Sequence, residues 1–135
     1  MIRTVWVDGW QMQCCGDPMH VGETVSWRLS RDVDRDFLGQ VLGAAEASLL
    51  TDAEDHHETL STNTELTVGT IRSIRASFCD FAPRAGSGQT TRYPVVGSGT
   101  VEGRASADGW EPEGDDRRFV GYVVAVEVIG SERHE

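Results

Sequence analysis

"RFVGYVVAVEVIG", residues 118–130, is the stretch that decides the fold. Its apolar residues fall on both parities, with Val120, Tyr122, Val124, Val126 and Val128 on one face and Phe119, Val123, Ala125 and Ile129 on the other. Successive side chains of a strand point to opposite faces of a sheet, so both faces of this strand are apolar. The run therefore predicts a central strand, with a helix as the candidate cover on one side.

The covering helix is predicted from "DVDRDFLGQVLGAAEASLLTD", residues 32–52. Its apolar residues form one helical stripe, which predicts a single amphipathic helix at about 34–50. Asp32 or Asp34 is suited to cap its start. Gly39 and Gly43 each cost about 1 kcal/mol relative to alanine, so the helix must be stabilised by packing against the sheet.

The N-terminal segment predicts a hairpin. Asp8-Gly9 lies between two apolar runs, and Asp-Gly suits a two-residue turn between strands at about 2–7 and 10–15. The alternative is one long strand with a bulge at Gly9. The segment 21–29 follows, and its alternation predicts a half-buried strand.

The segment 66–81, "LTVGTIRSIRASFCDF", returns to strand character. Ile71 and Ile74 lie on opposite parities within it, although both are apolar. A β-bulge restores such a pair to one face and bends the strand. We therefore expect a bulge near Arg72 or Ser73.

Five or six strands and one helix predict a mainly β fold. The expected architecture is a small, strongly bent sheet or a partly open five- to six-stranded barrel, OB-like or SH3-like. A chain of 135 residues is long enough for one hydrophobic core, which predicts a single domain over 1–135. The segment 82–94 is rich in Gly, Ser, Pro and Arg and is predicted to be a flexible loop.

The charge balance is acidic, with 22 Asp and Glu residues against 12 arginines, no lysine and a formal net charge of −10. Such a surface repels a phosphate backbone, which disfavours nucleic-acid binding and favours a basic protein partner. The N-terminal residues lack the apolar run of a signal peptide, and no later segment has the length of a membrane span. These features predict a cytoplasmic protein without a membrane partner, whose three cysteines are reduced thiols.

The densest group of potential metal ligands and acid-base residues is "EDHHE", residues 54–58. Adjacent histidines diverge in a strand and lie about 100° apart in a helix, so these two converge only in a loop. A solvated polar loop is the favoured interpretation, so no metal and no cofactor are predicted and a non-catalytic protein is favoured. The candidate catalytic residues are Glu54, His56, His57 and Cys15, and the candidate metal ligands are Asp55, His56 and His57.

Adjacent cysteines occur in "QCCGDPMHVGETVSW", residues 13–27. In the predicted strand Cys14 and Cys15 point to opposite faces, so they cannot both enter one metal site. A site that combines either thiol with Cys79 and His20 is the minor alternative to thiols buried as small apolar groups.

Four tryptophans supply candidate binding residues. Trp27 belongs to an alternating strand and is expected in the core, whereas Trp110 lies in a turn and is expected to be exposed to a partner. A small-molecule pocket inside the barrel, lined by Trp6, Trp10 and Tyr122, is a further possibility. The candidate binding residues are therefore Trp110, Trp10, Trp6 and Tyr122.

The ordered segments "VDGWQMQCCGDPMHVGETVSW", "GTIRSIRA", "SADGWEP" and "FVGYVVAVEV" together resemble a family of small uncharacterised actinobacterial proteins, a domain of unknown function. The most specific piece is Cys-Cys-Gly-x-Pro followed by Val-Gly-x-x-Val-x-Trp, in residues 14–27. That family has no assigned activity, so the resemblance implies a bacterial cytoplasmic origin and no mechanism.

Three functions are compatible with the sequence. The first is a non-catalytic module that binds a basic protein through an acidic, aromatic-bearing face. The second is a small enzyme or metal-dependent protein that uses residues 54–58. The third is a protein that binds a small molecule in the barrel interior.

Overall fold

The structure, a computed structural model, describes residues 1–14, 16–54, 64–84, 86 and 91–134, with side chains described as far as residue 130. Its elements, in chain order, are β1 (Ile2–Asp8), α1 (Gly9–Cys14), β2 (Met19–His20), β3 (Thr24–Ser30), α2 (Arg35–Leu42), α3 (Ala44–Leu49), β4 (Asp52–Glu54), β5 (Thr64–Ala82), β6 (Tyr93–Pro94), β7 (Thr100–Arg104), β8 (Ser106–Ala107) and β9 (Arg117–His134).

The two longest strands, β5 and β9, run antiparallel beside each other and form the centre of the sheet. β9 pairs with β1 on its other edge, and β5 pairs on its other edge with β3, β7 and β6. The short strand β4 joins β3 to β1, which it meets in parallel. The sheet thereby curves into a ring of β3, β4, β1, β9 and β5. The predicted mainly β class and strongly curved sheet are confirmed.

The ring is not an even barrel, and within the described residues its strand β4 spans only Asp52–Glu54. β4 pairs with β3 at Leu29 and Ser30 alone. Within the described residues, positions 24–28 of β3 therefore have a strand partner, β5, on one edge only. In the part of the chain that the structure describes, this leaves a gap in the ring between β3 and α1.

The long strand β5 bends as it passes around the ring. Its register against β9 shifts between Val68 and Gly69, between Ile71 and Ser73, and between Ser77 and Phe78. The second shift is the bulge predicted near position 72, which is confirmed. These irregularities allow one strand to pair first with β3 and then with β7 along the same edge.

The prediction of a central strand at 118–130 is confirmed, because β9 is paired on both edges and packed on both faces. Its inner residues Tyr122, Val124 and Val126 join a cluster that fills the ring, and its outer residue Val123 packs under the helices. The buried members of the inner cluster are Val5, Val7, Met12, Met19, Leu29, Ile71, Ile74, Ala76, Phe78, Ala107, Tyr122, Val124 and Val126.

The single helix predicted at 34–50 is two helices, so that prediction is wrong in its continuity. Gly43 adopts φ 90° and separates α2 from α3, a left-handed conformation that α-helical residues do not have. Asp34 caps α2 as predicted, accepting a hydrogen bond from Phe37 N at 3.1 Å. Both helices pack on the outer face of the sheet, where the buried cluster is Trp6, Leu38, Ala47, Leu50 and Val123.

The hairpin predicted at Asp8-Gly9, and its alternative of one bulged strand, are wrong, because α1 replaces the strand expected at 10–15. A type I′ turn needs positive φ at both central residues, and Gly9 does not have it. A Cβ on Gly9 would lie 2.6 Å from the Phe119 ring and 2.9 Å from the Val120 oxygen. The chain therefore turns into a helix against β9, and this helix places Met12 in the inner cluster.

The two-stranded sheet of β2 and β8 lies outside the ring order. Its paired residues Met19 and Ala107 are buried in the inner cluster. The short strand β7 pairs with β5. The flexibility of 82–94 stays a prediction; this segment ends in β6.

Candidate functional site

The first candidate site is a surface groove of about 300 Å³ between α1 and the start of β9, here named the Trp10 groove. Its most prominent side chain is Trp10, which is 57% exposed. Its wall includes Phe119, whose ring centroid lies 4.9 Å from that of the buried Tyr122. The lining residues are Gly9, Trp10, Gln13, Phe81, Glu113, Arg118, Phe119 and Val120.

The Asp8 side chain connects Trp10 to the body of the protein. Its Oδ1 accepts a hydrogen bond from Trp6 Nε1 at 2.8 Å, and its carboxylate also accepts one from Trp10. Burial raises the pKa of Asp8, the two indole hydrogen bonds oppose this, and the charge of Asp34 adds to it. The exposed indole of Trp10 and the buried indole of Trp6 therefore donate hydrogen bonds to the same Asp8 carboxylate.

The rim of the Trp10 groove is formed by the turn that precedes β9. Glu113 Oε2 accepts a hydrogen bond from Phe119 N at 2.8 Å, and Arg118 donates one to the Gly114 oxygen at 2.8 Å. Asp115 and Asp116 follow in the same turn and are exposed. Exposed carboxylates thus lie beside the aromatic groove.

The second candidate site is a cavity of about 410 Å³ at the gap in the ring, here named the gap cavity. It extends from the inner cluster to the edge of β3 that faces away from β5. Its inner wall includes Val7, Met12 and Met19, its β3 wall includes Val25, Trp27 and Arg28, and its carboxylates are Asp17, Glu23 and Glu54.

The predicted aromatic residues do not meet in one pocket. Trp6 is buried under the helices, and Tyr122 is buried inside the ring. Trp110 is 68% exposed, as expected, and lies outside the Trp10 groove. Because Trp6 and Tyr122 belong to clusters on opposite faces of the sheet, Trp6, Trp10 and Tyr122 do not line a common cavity inside the ring.

The predicted catalytic and metal-binding residues are divided between described and undescribed parts of the chain. Asp55, His56, His57 and Cys15 lie outside the described residues. Glu54 is buried at the end of β4 and lines the gap cavity. Among the described residues, no group of three or more His, Cys, Asp or Glu side chains is placed to hold a metal ion.

The prediction that all cysteines are reduced thiols is wrong for Cys14, which forms a disulfide. Its expected strand geometry is also wrong, because Cys14 is the last residue of α1. Cys79 is a free, buried thiol 3.4 Å from Ser98 Oγ. His20 is exposed on β2.

Comparison with known proteins adds a family. A model of DUF6578, a family of unknown function, matches residues 1–128. The chain belongs to DUF6578. No curated protein and no solved structure matches this DUF6578 chain. Within its described residues, no helix is long and apolar enough to cross a membrane.

Two lining residues of the Trp10 groove in this DUF6578 chain, and the Asp8 carboxylate that is bonded to Trp10, escaped sequence reasoning. Phe81 and Phe119 read as ordinary strand residues, and Asp8 read as part of a turn. Phe81, Phe119 and Asp8 lie around Trp10 because Trp10 is on α1, and the sequence pattern did not predict α1. The one available signal was Gly9 directly before Trp10, since glycine permits a close approach of two backbones.

Proposed function

We propose that this chain is a non-catalytic protein-binding module whose Trp10 groove takes a segment of a basic partner protein. The observation that carries the proposal is the exposed indole of Trp10 on a helix whose residues Gln11 and Met12 are buried. Tryptophan at the centre of an interface is among the residues that contribute most to binding energy. The proposed setting is the bacterial cytoplasm, as the resemblance to actinobacterial proteins implies.

The hydrogen bonds of Asp8 support a preorganised anchor. Trp6 is buried and donates to Asp8, and Trp10 is bound to the same carboxylate. An exposed side chain that is already restrained loses less conformational entropy when a partner binds. Trp10 therefore presents a large apolar surface at a small entropic cost.

Charge supports the choice of a basic partner. Glu113, Asp115 and Asp116 are exposed in the turn at the groove rim, and the whole chain carries a formal charge of −10. Complementary charge accelerates association and selects against acidic partners. The segment that fits both features has a large apolar side chain flanked by arginine or lysine.

Selection from a displayed library of random peptides tests this function. The library is selected on the wild-type chain and counter-selected on Trp10→Ala. We expect the enriched peptides to combine a large apolar residue with neighbouring arginine or lysine. A synthetic copy of such a peptide should bind Trp10→Ala at least about tenfold more weakly than wild type, measured by calorimetry.

The matched control is Trp110→Ala, which removes another exposed tryptophan from outside the groove. We expect this variant to bind the peptide within about twofold of wild type. Equal affinity of Trp10→Ala and wild type, or enrichment of acidic peptides, would overturn the proposal.

A further inference from the structure

The Trp10 groove is lined by aromatic rings from three separate elements. Trp10 comes from α1, Phe81 from the end of β5 and Phe119 from the start of β9. Phe81 and Phe119 are both half-buried, so they are packed against the protein and also reach the groove. The Phe119 ring packs with Tyr122, whose ring centroid is 4.9 Å away, and with Phe78 at 6.0 Å. The groove therefore offers a bound segment a rigid aromatic surface.

Several hydrogen-bonding groups of the groove have partners within the protein. Trp10 donates to the Asp8 carboxylate, and Gln13 Nε2 donates to a backbone oxygen at 2.9 Å. The backbone N–H of Phe119 donates to Glu113 Oε2 at 2.8 Å. A peptide that added to β9 as a further strand would compete with Glu113 for this N–H group. The contacts therefore favour a segment that binds through the aromatic rings over one that pairs with the backbone.

A proline-rich segment matches a surface of this kind. The polyproline II conformation has no internal hydrogen bonds, and proline has no backbone N–H group to leave unsatisfied on burial. Grooves lined by aromatic side chains are a recurring receptor for this conformation. Because the conformation is preformed, its binding costs little conformational entropy. A groove that presents rings to its ligand therefore favours proline.

The rim adds a preference for positive charge beside the prolines. Glu113 lines the groove, and Asp115 is exposed in the same turn. The guanidinium of Arg118 donates to the Gly114 oxygen at 2.8 Å. Complementary charge selects the partner and also fixes the register in which it binds. An arginine at one end of the segment therefore suits the carboxylates of the rim.

We propose that the segment bound by the Trp10 groove is proline-rich and adopts the polyproline II conformation, with its prolines against Trp10, Phe81 and Phe119 and an arginine at Glu113. Such binding rests on the proposed protein-binding function, and it specifies the composition and the conformation of the bound segment. The large apolar side chain of that segment lies between prolines.

Calorimetric titration of the full chain with two synthetic peptides tests this proposal. The first is acetyl-Arg-Pro-Pro-Leu-Pro-Pro-amide, and the second has alanine in place of every proline, with the same charge and the same leucine. We expect the proline peptide to bind at least about fivefold more tightly than the alanine peptide, because it is preformed and fits the rings. In a ¹⁵N–¹H spectrum, the indole N–H of Trp10 should shift on titration with the proline peptide, and that of Trp110 should not.

Phe81→Leu distinguishes contact with an aromatic ring from general apolar contact, since leucine keeps an apolar side chain and removes the ring. It should weaken binding of the proline peptide at least about fivefold and leave binding of the alanine peptide within about twofold. Trp110→Leu removes an aromatic ring outside the groove, so it should leave both affinities within about twofold. If Phe81→Leu does not fold, as judged by circular dichroism, Trp10→Leu replaces it with the same expected result.

Glu113→Gln tests the contact with arginine. The amide keeps an oxygen that can accept from Phe119 N but removes the charge, so the proline peptide should bind about three- to fivefold more weakly. Glu127→Gln makes the same chemical change outside the groove and should leave the affinity within about twofold. An affinity that Glu113→Gln leaves unchanged would overturn the placement of the arginine.

The possible results separate the bound conformation from the protein-binding function. Equal affinity of the two peptides, or no binding of the proline peptide at millimolar concentration, would overturn the polyproline II proposal. The protein-binding function would still stand if the library-selected peptide binds Trp10→Ala more weakly than wild type. If that peptide binds both equally, the protein-binding function fails and the polyproline II proposal fails with it.

Discussion

At the scale of single residues, buried charge is accompanied by a partner. Arg3 is 8% exposed and Asp52 is 2% exposed, and their side chains lie 2.9 Å apart. Arg3 also contacts Glu65 Oε1 at 3.2 Å. The guanidinium thereby connects β1 to β4 and β5, and it compensates the desolvation of Asp52.

Replacing Arg3 by methionine should therefore destabilise the protein strongly. Arg3→Met leaves the Asp52 carboxylate buried without its main counter-charge, which costs about 3–5 kcal/mol of unfolding free energy. Urea denaturation measures the loss. Arg72→Met removes an arginine paired with Glu127 in an exposed ion pair, which solvent screens, so this variant should lose much less stability than Arg3→Met. Equal losses in the two variants would contradict this account.

A second buried network centres on the Tyr122 hydroxyl. It donates to Glu111 Oε2 at 2.8 Å and accepts from Gly109 N at 3.0 Å. Burial and the Glu111 hydrogen bond raise the pKa of Tyr122 well above its usual value, so it stays protonated. Arg104 Nε donates to the other oxygen of Glu111 at 2.9 Å. The hydroxyl therefore attaches the segment around residues 109–111 to the ring interior.

Tyr122→Phe should cost about 1–3 kcal/mol, because it removes a donor from Glu111 and an acceptor from Gly109 at a buried site. Thermal and urea unfolding measure this loss. Tyr93→Phe is the control, since Tyr93 is only half-buried and its ring contact with Arg84 does not need the hydroxyl. A loss for Tyr122→Phe no larger than that of the control would count against the network.

At the scale of elements, glycine decides where the helical segment is divided. Gly43 separates α2 from α3 at φ 90°, whereas Gly39 lies inside α2, and a Cβ added there would have no heavy atom within 4 Å. The same substitution should therefore have opposite effects at the two positions.

Gly39→Ala should stabilise the protein by up to about 1 kcal/mol, because alanine has the higher helix propensity and restricts the unfolded chain. Gly43→Ala should destabilise it by about 1–2 kcal/mol, because a Cβ strains the left-handed conformation. The midpoints of urea unfolding measure both changes. The interpretation fails if the two substitutions shift the midpoint in the same direction.

Sequence patterns predicted the elements in which the order of apolar and polar side chains shows which faces are buried. β9 was predictable because apolar residues occupy both of its faces, and the bulge in β5 because Ile71 and Ile74 conflict in parity. α1 was not predictable from the sequence. A six-residue helix has almost no periodicity, and the close contact between Gly9 and the Phe119 ring is a tertiary contact that a local pattern does not show. In the sequence, Gly43 indicated a lower helix propensity but not the boundary between α2 and α3.

At the scale of the whole molecule, the candidate sites also combine features that the sequence pattern shows with features that only the folded chain shows. Trp10 was a candidate from its residue type alone. The Trp10 groove and the gap cavity both depend on α1, and the gap cavity lies where, among the described residues, β4 ends at Glu54. Acidic composition predicted the sign of a partner's charge and could not predict the place where it would bind.

Low pH should lower the stability of the whole fold, because it protonates carboxylates that join separate elements. Hydrogen bonds from arginine lower the pKa of three glutamates below the ordinary value of 4.5. A pKa that is lower in the folded state contributes stability that is fully present above the unfolded value and is lost as pH falls through the folded value. The pairs are Glu46 with Arg75, Glu102 with Arg117, and Glu127 with Arg72.

Glu46→Gln isolates one of these contributions, because Glu46 accepts two hydrogen bonds from Arg75 at 3.0 and 2.9 Å and joins α3 to β5. The pair is about one-third exposed, so solvent screening limits the loss at pH 7 to about 0.5 kcal/mol. The difference from wild type should shrink as pH falls below 4.5 and vanish once wild-type Glu46 is protonated. Urea unfolding at pH 7 and at about pH 3 measures both values. A difference that is as large in acid as at neutral pH would contradict a contribution from the charge of Glu46.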